Sequence, residues 1–151
     1  MTVFRITNSF YKDDLSGQGA KIYGGRWNLP AHQALYTSQH ISLCVLEMLV
    51  NISLIESSLK YHLLKISIPD TIVPTIILNK KLKANWQDDE AYTRFMGTEF
   101  LKNKQAAVLK IPSAVIDQEN NYLLNPLHTD FKKIVISKST PFKFDNRLFN
   151  F

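Results

Sequence analysis

Seven short segments of this chain carry the β-branched and aromatic residues that favour strands, and helical segments do not alternate with them strictly. The predicted strands are residues 3–7, 34–37, 60–68, 72–78 (at a sheet edge, because it contains Pro74), 106–111, 114–117 and 134–137. A doubly wound parallel sheet needs a helical crossover between successive strands, which this order does not supply. The pattern predicts an α+β fold: a sandwich of short, mostly antiparallel strands with flanking helices.

Length and composition indicate a single domain, residues 1–151. The chain is 45% hydrophobic and 21% charged and contains no repeat or Gly/Ser/Pro linker, so it can bury one core. Its only cysteine, Cys44, cannot form an intramolecular disulfide. A secretory signal and any run of about 18 apolar residues are both lacking. We therefore expect a cytoplasmic protein with no membrane contact.

The basic charge of the chain favours an anionic partner. A net charge of +5 suits a nucleotide, a nucleic acid or an acidic protein. The lysines are dispersed, however, and the adjacent basic pairs are Lys80-Lys81 and Lys132-Lys133. Such dispersal is typical of a solvated surface, so we expect no direct nucleic-acid binding.

Residues 8–30 form a long segment without a predicted helix or strand, and they hold four of the five glycines. Long loops in compact domains are often binding loops. Gly24 and Gly25 let the backbone approach a ligand closely, and Arg26 beside them can hold phosphate through two parallel hydrogen bonds. A turn with a surface arginine explains these residues about equally well. The segment contains neither a GxxxxGK[ST] nor a GxGxxG motif.

A nearly all-apolar helix is predicted to run to about residue 51, with Ser38 or Ser42 as its cap. Because apolar residues occur on every face, we expect it to be buried all round, with Cys44 packed as a small hydrophobe. Glu47 is the only acidic residue of this helix. An unpaired buried carboxylate is costly, so Glu47 indicates either a structural salt bridge or a catalytic site.

A second helix is predicted over residues 88–104, because acids occupy its first turn and lysines its last, as the helix dipole favours. Its aromatic residues are expected in the core: Tyr92, Phe95 and Phe100. Tyr36 ends a predicted strand and is either a core residue or a ring that stacks on a planar ligand. A turn is predicted at Glu119-Asn120-Asn121.

The sequence does not favour a serine hydrolase or a metalloenzyme. Ser113 ends a predicted strand but has no Gly-x-Ser-x-Gly motif around it and no obvious histidine base. The four histidines form no HExxH motif, and one cysteine cannot build a CxxC zinc site. We expect neither a metal nor a bound cofactor.

Taken in order along the chain, several segments resemble the RES domain, a family named for its Arg, Glu and Ser. They are Phe4-Arg5-Ile6, Gly17-Gln18-Gly19-Ala20, Gly24-Gly25-Arg26-Trp27-Asn28, Leu35-Tyr36-Thr37-Ser38, residues 43–47, Ile111-Pro112-Ser113-Ala114-Val115, residues 121–128 and residues 144–148. By position, the resemblance implies four catalytic residues: Arg26, Tyr36, Glu47 and Ser113. It implies five substrate-binding candidates: Arg5, Trp27, Asn28, Asn121 and Asn125.

The resemblance also implies an ADP-ribosyltransferase-like fold and cleavage of the nicotinamide–ribose bond of NAD, by hydrolysis or by phosphorolysis. NAD is then a consumed substrate, with inorganic phosphate as a possible co-substrate. Similar proteins are toxins that a cognate antitoxin neutralises, often one with its own DNA-binding domain. Here Glu47 would stabilise positive charge on the ribose, and Arg26 would hold the diphosphate. Tyr36 would stack on the nicotinamide or its ribose, and Ser113 would orient a ribose hydroxyl or the arginine.

Two other functions remain open at this level. An ADP-ribosyltransferase would use the same residues to pass the sugar to a protein or nucleic acid. A non-catalytic nucleotide-binding or nucleic-acid-binding module would use the basic surface and leave NAD intact.

Overall fold

The computed structural model describes residues 1–51 and 59–149, and its main feature is a mixed β-sheet of seven strands within those residues. They are β1 (Thr2–Asn8), β2 (Leu35–Ser38), β3 (Tyr61–Ser67), β4 (Thr75–Ile76), β5 (Val108–Pro112), β6 (Asn120–Leu124) and β7 (Val135–Phe142). Their order across the sheet is β4-β5-β6-β2-β1-β3-β7. Every neighbouring pair is antiparallel except the parallel pair β4 and β5. The predicted α+β class is confirmed.

The described residues also form three α-helices: α1 (Gln18–Tyr23), α2 (Ile41–Leu49) and α3 (Glu90–Asn103). Short 3-10 turns occur at Ser9–Tyr11, Asn79–Lys81, Trp86–Asp88, Thr129–Lys133 and Asn146–Phe149. Asp89 caps α3, because its carboxylate accepts a hydrogen bond from Tyr92 N at 2.9 Å. In the part of the chain that the structure describes, no helix is long and apolar enough to cross a membrane.

The helices α2 and α3 pack on the same face of the sheet. Ser38 is in register with Phe4, and Tyr36 with Leu123, so all four side chains share one face. Leu123 packs in a buried cluster with α3, and Phe4 packs in another with α2. Residues of the opposite face form a separate cluster that includes Val3, Leu35, Leu64, Ile66, Val108 and Leu124. The two helices therefore cover neighbouring parts of one face of the sheet, in two separate clusters.

The helix α2 is exposed along one side, which makes the prediction of all-round burial wrong. Leu43 and Cys44 are buried, which confirms the packing expected for Cys44. Two of its apolar side chains, Ile41 and Leu46, are exposed, and so is Val50, the residue that caps its C-terminus. The reason is that α2 packs on β1 and β2 with one side only. The predicted serine caps are also wrong, because the N-cap residue is His40, whose side chain makes no capping bond.

Residues 114–117 form a turn and not the predicted strand. Ser113 Oγ accepts hydrogen bonds from the backbone N–H groups of Val115 and Ile116, at 3.0 and 3.1 Å. These bonds turn the chain directly after β5 and override the strand preference of two β-branched residues. Asn120 and Asn121, expected in a turn, begin β6 instead.

Three smaller differences concern the ends and faces of elements. The segment 8–30 contains α1 and is not all loop. Phe95 is 64% exposed, whereas Tyr92 and Phe100 pack on the core as expected. The predicted edge strand over residues 72–78 is confirmed as β4, although β4 has only two residues.

Candidate active site

Glu47 lies in the last turn of α2, and two residues that are distant in the chain hold its carboxylate. Its Oε1 accepts a hydrogen bond from Ser113 Oγ at 2.7 Å and another from Asn121 Nδ2 at 2.5 Å. Among the described residues, none of the ion pairs involves Glu47. Charge-assisted hydrogen bonds from neutral donors thus fix the carboxylate, which leaves its negative charge available to a ligand.

The two donors to Glu47 are themselves oriented by further hydrogen bonds. The Oγ of the fully buried Ser113 accepts two backbone N–H bonds, so its own proton is directed at Glu47. Ser38 Oγ donates to Asn121 Oδ1 at 2.7 Å, which turns the amide NH₂ of Asn121 toward Glu47. We call Ser38, Glu47, Ser113 and Asn121 the carboxylate network.

The loop Gly24-Gly25-Arg26-Trp27-Asn28, here called the arginine loop, is a tight turn closed by the hydrogen bond from Gly25 N to Asn28 O at 2.9 Å. Asn28 is fully buried, and its Nδ2 lies within 3.0 Å of three carbonyl oxygens, those of Ala20, Leu29 and His32. Gly24 has φ of 71°, a left-handed value that favours glycine. The side chain of Asn28 therefore shapes this loop.

Tyr36 links the arginine loop to the sheet. Its hydroxyl donates to Asn28 Oδ1 at 2.7 Å and accepts from Trp27 N at 2.9 Å. Burial raises the pKa of Tyr36, an effect that the hydrogen bond from Trp27 and the positive charges of Arg94 and Arg26 oppose. The phenol is therefore neutral at physiological pH and acts as a donor that fixes the loop.

Replacing Tyr36 with phenylalanine is expected to lower the free energy of unfolding by about 1–3 kcal/mol, because it leaves Trp27 N–H and Asn28 Oδ1 without their partner. Tyr122→Phe is the control, because Tyr122 is a buried tyrosine and no hydrogen bond from its hydroxyl occurs among the described residues. Urea unfolding, monitored by tryptophan fluorescence, measures the free energy of unfolding of both variants. Equal losses in the two variants would contradict the role given to the Tyr36 hydroxyl.

Arg26 extends from its loop toward the start of α3. Its Nη1 donates to Gln87 O at 2.8 Å, and its Nη2 lies 3.8 Å from Glu90 Oε1. The helix also holds the loop backbone: Thr93 Oγ1 donates to Arg26 O at 2.7 Å, and Arg94 Nε donates to Gly25 O at 2.9 Å. With 32% of its side chain exposed, Arg26 remains accessible to an anion from solution.

Strand β2 brings the arginine loop and the carboxylate network side by side. Tyr36 bonds to the loop, and Ser38 bonds to the partner of Glu47. The two residues point to the same face and are about 7 Å apart along the strand. The described contacts thus connect the loop that carries Arg26 with the network that holds Glu47 through one strand.

Arg5 lies where β1 and β2 separate. Phe4 and Ser38 are the one pair in register between these strands within the described residues. Beyond that pair, Arg5 Nη1 donates to Tyr36 O at 3.0 Å, while its buried Nε has no hydrogen-bond partner in the described part of the chain. Arg5 therefore adjoins Tyr36, and its role toward substrate stays a prediction.

Trp27 and Asn125, two of the predicted substrate-binding residues, make their contacts with other residues of the protein. Trp27 is buried and packs against Trp86, with ring centroids 5.8 Å apart. Asn125 donates to Leu101 O and accepts from Leu127 N, and its side chain does not join the carboxylate network. It lines a separate cavity of about 330 Å³ near Lys102 and Lys104. Substrate contact by either residue stays a prediction.

The structure adds residues that sequence reasoning missed. Ser38 was expected as a helix cap but belongs to the carboxylate network, and alternation with Tyr36 along β2 is the signal that would have placed it on that face. Thr93, Arg94 and Glu90 lie 65 or more residues after Gly25 and carried no sequence signal. Among the described residues, no group of three or more His, Cys, Asp or Glu side chains is placed to hold a metal ion.

The similarity of this chain to known proteins extends over nearly its whole length. The family model described as the RES domain matches residues 2–145. Two proteins named Toxin Res, from Yersinia enterocolitica and Photorhabdus laumondii, are each 36% identical to this chain over 152 residues. Each match covers 98% of this chain, together with 99% of the Yersinia protein and 97% of the Photorhabdus protein. The Prs ADP-ribosylating toxin of a Sphingobium species is 31% identical over 144 residues, covering 93% of this chain and 89% of its own.

A solved structure shares the fold. A chain in the crystal structure of the M. tuberculosis MbcT–MbcA toxin–antitoxin complex is similar with a TM-score of 0.77 at 20% identity, over 94% of this chain and 84% of that chain. With a family model that covers nearly all of its length and relatives of similar size, this chain belongs to the RES domain family.

Proposed function

We propose that this protein is the toxin of a toxin–antitoxin pair and that it destroys NAD by cleaving the bond between nicotinamide and ribose. The observation that carries the proposal is the fixed carboxylate of Glu47, held by Ser113 and Asn121 beside a loop that presents Arg26. NAD has the matching chemistry: a positively charged nicotinamide ribose at one end and an anionic diphosphate in its middle.

The chemistry follows from these positions. As the bond from ribose C1′ to the nicotinamide nitrogen breaks, its electron pair goes to the pyridinium ring, and nicotinamide leaves neutral. Positive charge then develops on the ribose C1′ and ring oxygen, where the Glu47 carboxylate stabilises it. Arg26 holds the diphosphate, so the ribose is placed against Glu47. Water, which loses a proton, or inorganic phosphate then bonds to C1′.

The names of the relatives support the toxin assignment. Two relatives that match over nearly their whole length are named toxins, and the structural neighbour is a toxin bound to its antitoxin. The exposed apolar side of α2 lies on the helix that carries Glu47. A cognate antitoxin that covers this helix would bury those side chains and close the site at once.

The test is incubation of the purified protein with NAD, with and without phosphate, and mass spectrometry of the products. We expect free nicotinamide together with ADP-ribose in phosphate-free buffer, or the 1-phosphate of ADP-ribose where phosphate is the acceptor. NAD that stays intact under both conditions would overturn the proposal and favour a binding module.

A second function, ADP-ribosyl transfer to a macromolecule, is favoured by the name of the Sphingobium relative, Prs ADP-ribosylating toxin. The same residues would serve, with a protein or nucleic-acid group attacking C1′ in place of water. A macromolecule that gains the mass of ADP-ribose in a cell extract, with little free ADP-ribose, would favour transfer over destruction of NAD.

A further inference from the structure

Two guanidinium groups share one carboxylate at the edge of the arginine loop. Arg94 Nη2 is 2.8 Å from Glu90 Oε2, and Arg26 Nη2 is 3.8 Å from Glu90 Oε1. Arg94 is also tied to the loop, because its Nε donates to Gly25 O. All three side chains remain partly exposed, at 32% for Arg26, 38% for Arg94 and 52% for Glu90, so a ligand can reach them.

We propose that Arg26 and Arg94 together bind the diphosphate of the substrate, and that Glu90 is an intramolecular competitor that occupies this anion position until the substrate displaces it. The inference rests on the proposed function, because it assigns the diphosphate of NAD to this pair. Arg94 is then a substrate-binding residue beside Arg26, and Glu90 tunes the affinity.

Charge and shape both support a phosphate ligand here. Two guanidiniums and one carboxylate leave a net charge of +1, whereas a diphosphate diester carries two negative charges. Displacing Glu90 would leave the two positive charges of the arginines facing the two negative charges of the diphosphate. Carboxylate and phosphate oxygens suit the same planar donors of arginine, so the position of the Glu90 carboxylate marks where phosphate oxygens fit.

The location agrees with this role. Arg94 Nε donates to Gly25 O, and the Tyr36 hydroxyl accepts from Trp27 N, so both arginines adjoin the loop that Tyr36 ties to β2. The same strand continues to Ser38 and the carboxylate network. Glu90 sits in the first turn of α3, and its long side chain can rotate into solvent at little cost because the pair is exposed.

Arg94 also supports the arginine loop. Whether Glu90→Gln tightens or weakens ligand binding distinguishes a competitor of the ligand from a residue that only holds Arg94 in place. If Glu90 only holds Arg94 in place, Glu90→Gln weakens ligand binding, as Arg94→Gln does. If Glu90 competes with the ligand, the same substitution tightens binding. The pair Glu99 and Lys102, at 2.9 Å on the same helix, supplies the matched controls Glu99→Gln and Lys102→Gln.

The experiment is isothermal titration of the full chain and its variants with ADP-ribose and with AMP, which has one phosphate. We expect Arg94→Gln to weaken ADP-ribose binding about tenfold or more and AMP binding less. We expect Glu90→Gln to tighten ADP-ribose binding about two- to fivefold, and the two controls to match the wild type.

Nicotinamide release from NAD is measured on the same samples. Failure of the diphosphate-site proposal can therefore be distinguished from failure of the proposed NAD cleavage. Wild-type protein that releases nicotinamide, combined with unchanged ADP-ribose affinity in Arg94→Gln or weaker affinity in Glu90→Gln, would overturn this inference alone. Absence of ADP-ribose binding by the wild type would overturn it too. The expected affinities without nicotinamide release would uphold the diphosphate site and refute the proposed reaction.

Discussion

Replacing Glu47 with glutamine is expected to lower the rate of nicotinamide release from NAD by about 10²- to 10³-fold or more, because the substitution removes the charge that stabilises the developing ribose cation. Glutamine has nearly the same shape, and its Oε1 can still accept the hydrogen bonds from Ser113 and Asn121. The fold should therefore survive. Steady-state assay of nicotinamide, with circular dichroism of the same sample, measures both effects.

Glu99→Gln is the control for this prediction, because it removes the same charge from an exposed ion pair on α3. It should leave the rate unchanged. A folded Glu47→Gln protein with wild-type activity would show that the carboxylate network is structural, and the catalytic assignment of Glu47 would then be wrong.

Replacing Gly97 with alanine is expected to lower the free energy of unfolding by about 3 kcal/mol or more. An added Cβ would lie 1.9 Å from Trp27 O and 2.8 Å from Trp27 C, so the backbone of α3 must move away from the arginine loop. That movement also stretches the bonds from Thr93 and Arg94 to the loop. Activity should fall with stability, as measured by urea unfolding and nicotinamide release.

Gly19→Ala provides the control, because no atom lies within 4 Å of its added Cβ and the residue is in α1. Alanine there should be neutral or stabilising by up to about 1 kcal/mol. If Gly97→Ala unfolds like the wild type, the close packing of α3 on the arginine loop is not a feature of the protein in solution.

Local sequence patterns predicted the helices and strands whose conformation depends on residues close together in the chain. Strand β3 and helix α3 were predictable because a β-branched run and charged helix ends act within a few residues. The turn at residues 114–117 was not, because a single hydroxyl, Ser113 Oγ, captures two backbone N–H groups. The exposure of α2 was missed because composition does not tell which side of an apolar helix meets the sheet.

The candidate site was predictable only in part, for a related reason. Glu47 and Arg26 stand out because a lone acid on an apolar helix and an arginine beside two glycines are unusual locally. Ser38, Arg94 and Glu90 contact residues that are 64 to 83 positions away in the chain, namely Asn121, Gly25 and Arg26. Those contacts depend on strand register and helix placement, which no local pattern specifies.

A crystal structure of the Glu47→Gln protein with NAD bound would show whether Glu47 and Arg26 contact the same substrate molecule, because the substitution slows cleavage and preserves the site. We expect the diphosphate on Arg26 and the nicotinamide ribose beside the side chain at position 47. NAD bound elsewhere, for example in the cavity near Lys102 and Lys104, with the carboxylate network untouched, would contradict it.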